Sequence, residues 1–187
     1  MKDILRVLFL LLLAAVIPKP PVPEIPTDAS ERVVYYAMLF DGHKETDHNR
    51  SFYIDHWLTR LGVPVGNNYC AAFTAFILDT AQVSYPTVRS AVARHYQTSN
   101  SVPVSRVLNG QYQVPPGAIL VWGRTGSWTG HTDFTTEYWE GASGMAIGAN
   151  VTPPGQESGG RGNGVYHKRR TIVPHAYFGI RYITETS

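Results

Sequence analysis

The sequence predicts an α+β domain, with helices first and an antiparallel sheet second. Three observations carry that reading. Helical periodicity fills the chain to about residue 95, Pro115, Pro116 and Gly117 then turn it, and from Ala118 onward the apolar and β-branched runs have strand length. At 187 residues the chain holds one domain with a real core, but not two, once a short leading segment is set aside.

The helices follow in order. Asp28 with Glu31 three residues later has the spacing of an N-terminal cap, and Val33, Val34, Ala37 and Met38 supply a helical face. A polar stretch from Asp41 to Arg50 breaks that pattern; within it Glu45 and Arg50 read as a structural pair closing the loop. Ser51 caps a second helix, whose Ile54, Trp57, Leu58 and Leu61 fall at i, i+3, i+4 and i+7, with Gly62 as its stop. Asn67 and Asn68 precede a third helix, Cys70 to about Ala81, that is apolar nearly all round and therefore central. Pro86 opens a further helical segment with Val88, Ala91, Val92 and His95 on one face.

The strands are read from continuous or alternating apolar runs. Ala118–Trp122 is one, Thr132–Tyr138 a second, and Met145–Val151 is its hairpin partner across Gly141–Gly144. Val165–His167 and Tyr177–Ile183 add two more. The Gly-rich stretch Gly155–Gly164 reads as a loop.

Residues ahead of the domain have a different character. Lys2, Asp3 and Arg6 precede an unbroken apolar run from Val7 to Ile17, which is short against the roughly 20 residues of a membrane span. Residues 1–17 therefore read as a signal peptide or a short membrane anchor, and the proline-rich residues 18–26 as a stiff linker, leaving 27–187 as the domain. The expected location is secreted or periplasmic, with a membrane contact only through the N-terminal segment if it is not cleaved. A formal charge of +2 is too small to argue for nucleic-acid binding. Lys168, Arg169 and Arg170 form the one dense basic run and read as a solvated strand end.

Cys70 is the single cysteine, so it closes no internal disulfide. It opens the central helix, where unpaired backbone N–H groups and the helix dipole favour a thiolate and can receive an oxyanion. A cysteine hydrolase needs two further groups: a base within hydrogen-bond reach, and a partner that holds the imidazole in the useful tautomer. His131 follows Gly130 at the start of a strand, and Asn150 lies near the end of the strand expected to pair with it, in a register that the sequence leaves open. Trp128 and Trp139 flank His131 in sequence and either line a groove or pack. His43, His48 and His56 lack metal-site spacing and read as solvated polar residues; no metal and no cofactor is implied.

The stretch from Asn49-Arg50 through Ile54–Leu61 to Asn68-Tyr69-Cys70-Ala71-Ala72-Phe73 resembles the CHAP-like cell-wall hydrolases (cysteine, histidine-dependent amidohydrolases/peptidases), as do Pro116-Gly117-Ala118-Ile119-Leu120-Val121-Trp122, Gly130-His131 and Gly148-Ala149-Asn150. The likeness spans roughly residues 45–183. Tyr69 stands where that family usually has Trp, and Ala149 separates Gly148 from Asn150. The resemblance implies a papain-like fold of the CHAP type and a bacterial peptidoglycan amide as substrate, cut by an N-acetylmuramoyl-L-alanine amidase or a peptide endopeptidase. It also implies Cys70 as nucleophile, His131 as base and Asn150 as orienting group. Asp133 and Glu137 are alternative orienters, although Asp133, on the same strand, is expected to point beside His131 rather than at it. Two rival readings differ in kind. One is a non-catalytic wall-binding module on the same fold; the other, a metal-dependent hydrolase using His131 and Asp133, has the least support.

Overall fold

The computed structural model describes residues 24–156 and 162–187, so residues 1–17, most of the linker and the middle of the Gly155–Gly164 stretch lie outside the described residues. Helices precede an antiparallel sheet, as the periodicity predicts. Helix α1 spans Ala29–Met38, and the Asp28 carboxylate accepts from Ser30 N and Glu31 N at its start. Helix α2 spans Phe52–Thr59, with the Ser51 hydroxyl accepting from Ile54 N. Helix α3 runs from Cys70 to Thr80 and buries eight of its 11 residues. It is apolar all round because it packs against α1 and α2 on one side and the sheet on the other.

The sheet has six strands, β1 (Val102–Pro103), β2 (Ile119–Arg124), β3 (Gly130–Thr135), β4 (Ser143–Val151), β5 (Gly164–Thr171) and β6 (Phe178–Thr184), with a one-turn helix α4 (Val104–Leu108) after β1. Their spatial order is β1-β6-β2-β3-β4-β5 and every pairing is antiparallel. The last strand is therefore interior, between β1 and β2. The unbroken apolar run of β2 has a direct cause: Ile119 and Val121 enter the core beneath the helices, while Leu120 and Trp122 enter a second core with Val114, Ile172 and Ile180 on the other face.

The polar stretch after α1 covers the edge strand. Gly42 N donates to Val165 O, Val165 N to His43 O and His167 N to the Asp41 carboxylate, which hides the open edge of β5. Within that stretch the expected Glu45–Arg50 pair does not form. Arg50 pairs with Asp55 at 2.8 Å, and Glu45 accepts from Asn49 N and from the Tyr69 hydroxyl.

Beyond the added elements β1 and α4, an earlier start to β4 at Ser143 and the longer β5, which runs on to Thr171, two departures from the sequence reading have a clear physical cause. The segment after Pro86 is irregular, with only a short 3₁₀ turn at Ala93–Tyr96. There the Arg89 guanidinium takes the carbonyls of Val83, Pro86 and Val88, and the Ser90 hydroxyl takes Val92 N, so side chains satisfy a backbone that a helix would otherwise have paired. Strand β3 ends at Thr135 rather than Tyr138, because Trp139 turns inward: its N–H donates to Val114 O and its ring N–H to Met145 O. Gly141, at φ 64°, carries the turn.

Candidate active site

Cys70 arrives at the site as the first residue of α3. Unlike α1 and α2, this helix has no side-chain cap, so the N–H groups of its first turn have no capping oxygen. The loop before it is held by hydrogen bonds to distant segments. The buried Tyr69 hydroxyl donates to Glu45 at 2.8 Å and accepts from the Asn150 backbone N–H; Asn68 Oδ1 accepts from Asn150 Nδ2 at 3.1 Å. Burial first, then the Glu45 carboxylate, pushes the Tyr69 hydroxyl well above its ordinary range, so Tyr69 stays a neutral donor.

His131 is the second residue of β3, facing Trp122 across the ladder and lying edge-on to its ring at 5.1 Å between centroids. Its Nε2 stands 2.7 Å from Asp133 Oδ1. An ionised carboxylate only accepts, so Nε2 carries the proton. The Cys70 thiol interacts with the same ring, and Nδ1 is the nitrogen left for that exchange. Asp133 is fully buried and is clamped from the other side by Arg170, whose Nε donates to Oδ2 at 2.7 Å. The Arg170 guanidinium in turn lies over the Trp122 ring at 5.4 Å. The resulting chain runs from the thiol through His131 and Asp133 to Arg170.

Opposing influences set the charge states. Burial is the largest on His131 and disfavours its cation, but the Asp133 charge, the Asp133 hydrogen bond and Cys70 together outweigh it and hold the imidazole up at about 9. Burial likewise works against the Asp133 anion, and Arg170 with His131 outweighs it, holding the carboxyl at about 2. An imidazolium–carboxylate–guanidinium row is the dominant state at neutral pH.

The structure brings Cys70 and His131 together, and it puts Asp133 at Nε2 of His131, correcting the expectation that Asp133 points beside the ring. Asn150 shares a hollow of about 350 Å³ with His131, but its side chain reaches Asn68. It sits at φ 60° in a bulge of β4 between Ala149 and Val151, and so ties β4 to the nucleophile loop. Glu137 accepts from Met145 N, away from the ring. Arg170, read from sequence as part of a solvated basic run, is 18% exposed and belongs to the site; Lys168 in the same run is bound to Thr152. Strand alternation from Lys168 to Arg170 was the available signal, needing only the β4–β5 register. Trp128 is 74% exposed and lines a groove of about 280 Å³ that also holds Cys70, whereas Trp139 is 1% exposed and packs. His43 bonds the Ser51 hydroxyl and His56 lies edge-on to Phe76.

Comparison with protein-family models, with curated proteins and with solved structures found no match to this chain.

Proposed function

We propose that this chain is a papain-like cysteine hydrolase of the CHAP type that cuts an amide bond of bacterial peptidoglycan outside the cytoplasm. The observation that carries the reading is the row Cys70–His131–Asp133: a thiol opening an uncapped central helix, an imidazole beside it, and a buried carboxylate on the far ring nitrogen. These are the three parts that thiol-based acyl transfer requires. The Cys70 sulfur attacks the peptide carbonyl and its proton resides on His131 Nδ1. The N–H groups at the start of α3 receive the oxyanion. His131 then protonates the leaving amine, and in the second half-reaction takes a proton from water to release the acyl group.

Asp133 fits the orienting role by contact with His131, and Asn150 fits a role in holding the nucleophile loop. The wall as substrate rests on the resemblance of the motifs around Cys70 and His131. Purified peptidoglycan digested with the chain and with its Cys70→Ala variant, followed by mass spectrometry of soluble fragments, tests the proposal. New amine and carboxyl ends at a single bond type, absent with Cys70→Ala, are the expected result and identify the amidase or endopeptidase. Wall association with no released fragments would instead make the chain a binding module.

A further inference from the structure

A hollow of about 730 Å³ lies at the turn of the β2–β3 hairpin, and its charged lining is Arg94, Arg124 and Arg181 with no Asp or Glu. None of the three forms an ion pair among the described residues, although the chain's formal charge is only +2. The positive field is therefore local.

These arginines are seated rather than loose. Gly123 and Gly130 oppose each other across β2 and β3, and a Cβ at Gly123 would stand 3.2 Å from Arg181 Cγ while one at Gly130 would stand 3.0 Å from Arg94 Cγ. Each missing side chain leaves room for one arginine stem. Arg94 Nη1 donates to Ser127 O at 2.7 Å and Arg181 Nη2 to Ala176 O. Arg124 lies over the rings of Tyr177 and Phe178 at 5.4 and 5.8 Å. Stems held in this way lose little freedom when the guanidinium groups take up an anion. Trp128 lines both this hollow and the groove that contains Cys70, so the two adjoin at its ring.

We propose that this hollow is a subsite for carboxylates of the substrate peptide, engaged while the scissile bond lies at Cys70. It rests on the reading of the site as a wall-peptide hydrolase. A peptide leaving the groove past Trp128 passes next to the three guanidinium groups, which match carboxylates in fork geometry.

Binding is read by calorimetry on the full chain carrying Cys70→Ala, which separates it from turnover. The probes are a synthetic tripeptide of alanine, γ-linked glutamate and a diamino acid with free carboxylates, the same tripeptide fully amidated, and a glycerol-phosphate oligomer. The acidic tripeptide is expected to bind about tenfold more tightly than the amidated one. Arg94→Gln, Arg124→Gln and Arg181→Gln combined should erase that preference, while the three Arg→Lys changes retain part of it, with thermal transitions confirming folding of both. Equal binding of the two tripeptides, a preference that survives the Gln variant, or binding of the phosphate oligomer alone overturns the proposal. A wild-type chain that releases wall fragments yet binds both tripeptides equally overturns the subsite alone. A chain that prefers the acidic tripeptide through these arginines but releases no fragments keeps the anion subsite and overturns the hydrolysis.

Discussion

Gly148 stands directly across the β3–β4 ladder from Asp133, and a Cβ at 148 would lie 1.5 Å from Asp133 Oδ1. The absent side chain is what gives the carboxylate its place against His131. Gly148→Ala is therefore expected to displace Asp133, lowering kcat/KM at least about 100-fold while destabilising the fold by about 1–3 kcal/mol. Steady-state kinetics and urea denaturation measure the two effects; unaltered kinetics would show that Asp133 does not set the state of His131.

The orienting role can be divided by comparing two variants. Cys70→Ala should abolish turnover with the thermal transition kept, since a small apolar group replaces a thiol of similar size. Asp133→Asn should cost more in kcat than Asn150→Ala, because Asp133 contacts the imidazole and Asn150 contacts Asn68. The reverse ranking would move the orienting role to Asn150.

Arg170 neutralises a carboxylate that has no exposed surface. Its replacement, Arg170→Met, leaves that charge short of a partner and is expected to cost about 3–5 kcal/mol. Adding Asp133→Asn should recover part of the loss, a coupling that a double-mutant cycle reads directly. Additive losses would mean that the pair contributes no mutual stabilisation.

Titration supplies a fourth test. His131 is held at about 9, so on the proposed mechanism the protonated form that would serve the leaving amine is lost above that value, and kcat/KM should fall on an alkaline limb near pH 9 belonging to the Cys70–His131 pair. Asp133→Asn removes the charge that favours the imidazolium and should move the limb to lower pH. Stability carries the same signs. The raised imidazole contributes fully below its ordinary value of 6.5, and that contribution is lost as pH rises through about 9. The lowered carboxyl contributes fully above 3.8 and its share is lost as pH falls through about 2. Thermal transitions across pH 2–10 should thus show the site's contribution at its maximum between about 4 and 6.5, and Asp133→Asn should remove that maximum, since burial then disfavours the imidazolium without an opposing charge from Asp133.

Much of the fold was legible because it follows from local periodicity. The Asp28 and Ser51 caps, the all-round apolar α3 and the doubly buried β2 are each written in a single stretch of chain. The site was legible to the extent that residue type and position along an element reveal it: Cys70 at a helix start and His131 at a strand start. What escaped depends on register. Asp133 aims at His131 only because Gly148 lies opposite, and Arg170 joins them only because β5 pairs with β4 as it does, which no local pattern encodes. The segment after Pro86 misled for a related reason, since the hydrogen bonds that replace helical ones come from the Arg89 side chain, which apolar periodicity does not report.

The interior position of β6 has a consequence in time. It is the last strand of the chain, yet it lies against β2 along Phe178–Thr184, and β2 holds the Trp122 ring on which both His131 and Arg170 rest. A nascent polypeptide, or one clipped before Phe178, carries Cys70 and His131 in its sequence while one side of β2 stays unpaired and the support behind the imidazole is incomplete. On the function proposed above, such a molecule is expected to gain its reactivity only once β6 is seated beside β2.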